Sequence, residues 1–202
     1  MFSKRIEYIN SLVTKEFVYD LCCDHGLIGE LSLLDNRFVS FVDQVEDITR
    51  ALNKRLGQKF DDSRFSIKTS SILDIKELEP NSTIILAGVG SRLFCEFLTH
   101  IHPMLDNCHE LIVCVHSNQH LTYKLLDELK ITRVKDHMVL DSGKVYEIFK
   151  CQKRVNYQGN LTINSEFSRF KDTQYFKKQL QFYKHKTQDN YIESIYRQLL
   201  SI

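Results

Sequence analysis

Short apolar runs that alternate with amphipathic stretches constrain this chain more than any other feature. The runs Phe17–Cys23, Phe38–Val42, Phe65–Thr69, Thr83–Ala87 and Leu111–Val115 are rich in β-branched and aromatic residues. That is the pattern of strands buried on both faces. Apolar residues at helical spacing predict helices over Lys4–Val13, Leu27–Leu34, Val45–Lys59, the stretch from Ser91 to Ile101, and Leu121–Lys130. Two alternating segments, Thr132–Leu140 and Lys144–Cys151, are joined by Asp141-Ser142-Gly143, which reads as a hairpin turn. Strands in turn with helices imply an α/β fold, with a mostly parallel sheet, one antiparallel strand in the carboxyl-terminal hairpin and helices on both faces.

The segment VYDLCCDHGLIG, Val18 to Gly29, is where chemistry concentrates. A buried strand releases Asp20, Asp24 and His25 at its mouth, and Gly26 and Gly29 follow into a helix, an arrangement that suits a small-molecule site at a carboxyl strand end. Asp20 either fixes a cationic ligand group or caps the turn that follows. His25 reads equally as a structural histidine or as a ligand contact, and Gly26 serves a tight turn or a close backbone approach. Asp43, at the end of the second strand, can accept a pair of ribose hydroxyls. Gly88 and Gly90 after the fourth strand leave room for a flat group, and Ser91 reads as a helix N-cap. The G-x-G-x-x-G spacing of nicotinamide-binding dehydrogenases does not follow the first strand.

Composition sets the outer limits. A chain of 202 residues, 43% of them hydrophobic, suits one domain with an appendage. It contains no apolar stretch long enough for a membrane span, and the charged start MFSKRIEYINSLV is no signal peptide, so a cytoplasmic protein without membrane partners is expected. Six cysteines without C-x-x-C spacing predict reduced thiols. His100 with His102 and His116 with His120 lack the glutamate of a zinc helix, so no metal is expected. Residues 150–202 carry ten Lys or Arg against four Asp or Glu, which leaves residues 1–149 at a net −5. A basic tail on an acidic body is compatible with a polyanionic partner or with a solvated helical face.

The strand and helix order is the layout of class I methyltransferases, and four ordered motifs narrow it further. Ser3-Lys4-Arg5 opens the first helix, and Asp20-Leu21-Cys22-Cys23-Asp24-His25-Gly26 follows the first strand. Ala87-Gly88-Val89-Gly90-Ser91 follows the fourth strand, and Gly143-Lys144-Val145-Tyr146-Glu147-Ile148 ends the hairpin turn. The chain resembles the bacterial tRNA adenine-N1 methyltransferases that act on adenine 22, whose motifs are a Ser-Lys-Arg helix, D-I-G-S-D-H-A, A-G-M-G-G and G-K-x-Y-E-I.

The resemblance implies a class I methyltransferase domain with a Rossmann-like sheet over residues 1–152 and a helical, coiled-coil-like region over 153–202. It implies S-adenosyl-L-methionine as cofactor, tRNA as partner and a monomer or weak homodimer. It points to Asp20, Cys22, Gly26, Asp43, Ser71, Ala87 and Gly88 around the cofactor, and to Asp24 and His25 at the reacting centre. RNA contacts are expected from Lys4, Arg5, Lys177, Lys178, Lys184, Lys186 and Arg197. In the tail, Phe176, Leu180 and Tyr183 share one helical face, as do Tyr191, Ile195 and Leu199.

This chain departs from the pattern at several points. The first glycine of D-I-G is Cys22, the acidic residue of a G-D-G after the third strand aligns with Ser71, and the P-N of L-I-L-Q-P-N becomes Val115-His116. Two alternatives therefore stand beside a tRNA methyltransferase: a methyltransferase-fold protein that binds cofactor or RNA without catalysis, and a small-molecule methyltransferase.

Overall fold

The structure is a computed structural model that describes residues 2–153 together with Tyr175, Lys177, Lys178 and Gln181. Helix α1 (Lys4–Ser11) precedes β1 (Phe17–Leu21), and α2 (Leu27–Leu34), β2 (Phe38–Asp43), α3 (Glu46–Leu56) and β3 (Phe65–Thr69) follow. Then come β4 (Ser82–Ala87), α4 (Ser91–Ile101), β5 (Glu110–Cys114), α5 (Gln119–Glu128), β6 (Ile131–Asp141) and β7 (Lys144–Lys153). Seven strands form one sheet in the order β3-β2-β1-β4-β5-β7-β6. β1 to β5 pair in parallel, and β7 runs antiparallel to both β5 and β6. This is the predicted Rossmann-like methyltransferase sheet with its single antiparallel strand.

Each face of the sheet holds its own core. Tyr19, Leu21, Ile84 and Leu86 pack with Phe94, Phe97 and Leu98 of α4 on one side. Val18, Val39, Phe41 and Ile85 pack with Ile9 of α1, Leu33 of α2 and Leu52 of α3 on the other. Because side chains alternate along a strand, Asp20 shares the face of Val18 and is aimed at α2.

Several predicted boundaries shift. β1 stops at Leu21 instead of Cys23, because Cys22 takes φ +52°, a left-handed conformation that ends an extended strand. α1 ends at Ser11, α3 runs from Glu46 to Leu56 and α5 from Gln119 to Glu128, all displaced from their predicted limits. The hairpin turn holds: Ser142 and Gly143 adopt φ +50° and +76°, the pair of positive values a tight two-residue turn needs. β7 continues through Lys153. The apolar faces predicted around Phe176–Tyr183 and Tyr191–Leu199 lie outside the described residues.

Candidate functional site

Strand order reverses between β1, whose next strand lies to one side, and β4, on the other. Loops leaving two such strands separate and open a crevice at their carboxyl ends. A cavity of about 180 Å³ lies there, lined by Asp20, Cys22, Asp24 and His25 from the first strand and its loop. Ala87 and Gly88 of the β4 loop form another wall, and Arg5 and Ile6 of α1 close a third. The structure thus brings together most of the residues singled out after the first strand.

Asp20 is buried at the end of β1, and its Oδ2 accepts the backbone N–H of Gly29 in the first turn of α2 at 2.8 Å. That bond is the capping role. Its Oδ1 has no partner among the described residues, so the same carboxylate is also open to a ligand. Burial raises its pKa to about 7, the Gly29 N–H works against that rise, and the charge of nearby Asp43 adds to it.

The loop beyond it is tightly bent. Cys22 and Asp24 have φ +52° and +49°, and Gly26 has φ +63° and accepts a Glu30 N–H with its carbonyl as α2 begins. A Cβ on Gly26 would lie 2.6 Å from Cδ1 of Leu52, so this glycine serves the packing of the loop on α3 as well as the turn. Burial pushes the Cys22 thiol up to about 11, which leaves it protonated and unreactive at neutral pH. The side chains of Asp24 and His25 are exposed at the cavity mouth, with His25 Nε2 3.9 Å from Asp24 Oδ1. Arg55 fixes the backbone there by donating to the His25 carbonyl at 2.6 Å.

Asp43, the last residue of β2, is buried and accepts two backbone N–H groups, from Asp24 at 3.1 Å and from Val45 at 3.0 Å. It ties the two loops together and keeps lone pairs for hydroxyl donors. Ser71 does not line the cavity; its Oγ accepts the N–H of Leu73 at 3.2 Å and starts a short 3-10 turn. Two apolar residues without a role in the sequence reading follow the ends of these strands: Val45 after β2 and Leu73 after β3 are 45% and 37% exposed.

The β4 side departs from expectation at one residue. Ser91 is not the N-cap of α4, a position held by Gly90; it is buried, its hydroxyl donates to the Ser117 carbonyl, and it accepts from Thr122 Oγ1 at 3.2 Å. Gly88 has φ +84°. A Cβ there would lie 3.9 Å from Cε1 of exposed His116. Val115, the other departure at this point, is buried in the core.

Of the residues expected to meet RNA, Lys4 is exposed on α1, and Lys177 and Lys178 are helical and exposed. Lys184, Lys186 and Arg197 lie outside the described residues. Arg5 lines the cavity, with its guanidinium carbon 4.7 Å from the centre of the Tyr146 ring. Among the described residues no group of three or more His, Cys, Asp and Glu is placed to hold a metal ion. None of the described helices is long and apolar enough to cross a membrane.

Comparison with known proteins follows the same line. No curated protein matches the sequence. Among solved structures, the m1A22 tRNA methyltransferase TrmK of B. subtilis superposes with a TM-score of 0.72 at 14% identity, covering 100% of this chain and 95% of its own. M. capricolum TrmK in complex with S-adenosyl-homocysteine gives 0.75 at 13% identity, with 98% of each chain covered. Streptococcus pneumoniae Sp1610 in complex with S-adenosyl-L-methionine gives 0.74 at 18% identity, covering 99% of this chain and 100% of its own. At these identities the likeness establishes the fold. A family model described as a methyltransferase domain matches residues 2–149, and the chain, whose switch-point cavity lies within that span, belongs to this family of methyltransferase domains.

Proposed function

We propose that this protein transfers a methyl group from S-adenosyl-L-methionine to N1 of an adenine in tRNA. The observation that carries the reading is the cavity between the β1 and β4 loops, with the Asp20 carboxylate on one wall and the side-chain-free Gly88 on another. Its volume of about 180 Å³ is below the roughly 300 Å³ of a site that encloses a whole drug-sized ligand. It therefore suits one end of the cofactor, the amino-acid end, with the nucleoside lying outward along the β2 and β3 loops.

The residues fit that group. Asp20 has an oxygen open to the ammonium, and an arriving cation offsets the burial that raises its pKa to about 7. Asp43 retains acceptor capacity for the ribose hydroxyls, and exposed Val45 and Leu73 offer apolar surface to the adenine ring. When bound, the cofactor supplies an electrophilic sulfonium methyl group.

The chain's own part in the reaction is positioning. Gly88 and Ala87 leave space for a flat base to approach in line. Adenine N1 attacks with its own lone pair, so no residue has to remove a proton first. Positive charge then develops on the base, and the exposed Asp24 carboxylate at the cavity mouth stabilises it, with His25 beside it contacting the base. The exposed lysines Lys177 and Lys178 support a polyanionic partner. The base must leave its stack to enter such a site.

The test is incubation with methyl-labelled cofactor and unmodified tRNA, followed by nucleoside analysis. Label in 1-methyladenosine is the expected result. Cofactor binding without transfer, or transfer only to small molecules, overturns the reading.

A further inference from the structure

Arg5 has chemistry that the proposed transfer does not use. Ser3 caps α1, its Oγ accepting the Ile6 N–H at 3.5 Å, and the helix then carries Lys4 to solvent and Arg5 into the cavity. Nε of Arg5 is buried without a hydrogen-bond partner among the described residues. Although Asp20 and Asp24 line the same cavity, Arg5 forms no ion pair with either among the described residues. A guanidinium is always charged, and a buried donor left unmatched is costly unless a ligand completes it. What holds the group in this position is the ring of Tyr146, 4.7 Å from the guanidinium carbon.

We infer that Arg5 anchors the carboxylate of the cofactor's amino-acid end, with Tyr146 as the positioning residue behind it. The inference rests on the reading that the cavity receives S-adenosyl-L-methionine. An α-amino acid presents one anion and one cation close together. The cavity answers with one arginine on α1 and, buried at its inner end, the Asp20 carboxylate with one oxygen left open beside the Gly29 bond, while the Asp24 carboxylate stands at the exposed mouth. The carboxylate is the single anionic group of that cofactor, and among the described residues Arg5 is the single Lys or Arg lining the cavity. The planar fork of arginine matches a carboxylate with two parallel hydrogen bonds, which a lysine cannot copy. The Tyr146-Glu147-Ile148 segment after the hairpin turn thereby gains a role, because its aromatic ring keeps a guanidinium aimed into the site.

The experiment is calorimetric titration of the 202-residue chain with two ligands. S-adenosyl-homocysteine contains the amino-acid end, and 5′-methylthioadenosine lacks it. Arg5→Ala lowers affinity for the first by roughly 10- to 100-fold, the loss expected for charge-assisted hydrogen bonds, and leaves affinity for the second unchanged. Unchanged binding of methylthioadenosine also shows that the variant is folded. Arg5→Lys recovers part of the loss. Tyr146→Phe retains wild-type affinity for S-adenosyl-homocysteine, because the ring is what acts, whereas Tyr146→Leu loses several-fold.

Equal losses for both ligands in Arg5→Ala mean a general structural role and overturn the inference. So does unchanged S-adenosyl-homocysteine affinity with weakened tRNA binding in a gel-shift assay, which returns Arg5 to the RNA surface. A wild-type chain that binds neither ligand overturns the cofactor reading and this inference with it.

Discussion

Gly29 donates its backbone N–H to Asp20 Oδ2 at 2.8 Å, and a Cβ on the same glycine would lie 2.9 Å from that oxygen and 2.2 Å from Cε1 of Phe41. Helix α2 can approach the carboxylate this closely because Gly29 has no side chain. Gly29→Ala must push α2 away from β1 and β2, and destabilises the protein by about 1–3 kcal/mol. Urea denaturation measures it, and a wild-type midpoint would show that α2 shifts without cost.

Asp20 makes stability depend on pH in a definite direction. Its carboxyl is raised to about 7 in the folded state by burial, with Asp43 adding to the rise, against an unfolded value of about 3.9. Between those values the folded state keeps a proton that the unfolded state has lost, so the Asp20 contribution to stability falls as pH rises and levels off above about 7. Asp20→Asn removes that slope. Wild type and variant should be of similar stability near pH 4, with the variant ahead by about 2–4 kcal/mol at pH 8. Denaturation midpoints at the two pH values test this. Cofactor binding at pH 6 should release a proton, seen as a dependence of the binding enthalpy on the buffer's ionisation enthalpy.

Cys22 holds φ +52°, a conformation that glycine adopts without strain. A left-handed conformation costs a side-chain-bearing residue roughly 1–2 kcal/mol, and Cys22→Gly should recover about 1 kcal/mol of it as a higher melting temperature. Lower stability in the glycine variant would mean that packing of the half-buried thiol outweighs the strain.

Asp43→Ala removes an acceptor from two backbone N–H groups and from the proposed ribose contact. Affinity for methylthioadenosine should fall by about 1–3 kcal/mol, in contrast to Arg5→Ala. Binding calorimetry of the two variants side by side tells the nucleoside contact from the amino-acid contact.

Asp24→Asn keeps the size of the side chain and removes its charge. With cofactor affinity intact, kcat on tRNA should drop about tenfold, a barrier change of ~1.4 kcal/mol. Unchanged turnover would mean that the developing cation is stabilised elsewhere.

Much of this arrangement is legible in the residues themselves. The apolar runs locate five parallel strands, and Asp141-Ser142-Gly143 marks the hairpin, because strand burial and turn chemistry are local properties. Asp20 and Asp43 are legible as strand-end carboxylates. Arg5 is not: a basic residue beside a cap reads as solvent-facing, and its turn toward the cavity depends on α1 lying across β6, where Tyr8 stacks on His137 at 4.4 Å. Ser91 reads as a cap because the sequence does not reveal the Ser117 carbonyl that takes its hydroxyl. Cys22 and Cys23 extend the apolar run of β1, and only the left-handed turn at Cys22 shows where the strand must stop.

The adjacency of Tyr146 and Glu147 on β7 has a mechanical meaning. Tyr146 meets Arg5 on one face of the sheet. On the other face the Glu147 carboxylate accepts the hydroxyls of Tyr123 and Tyr175, the latter at 2.6 Å. β7 lies between β5 and β6, so both attachments grip an interior member of the sheet instead of a free edge. The crevice wall at Arg5 and the Tyr175 hydroxyl are thus referred to one interior strand, a single peptide unit apart, so that a shift of β7 moves both together.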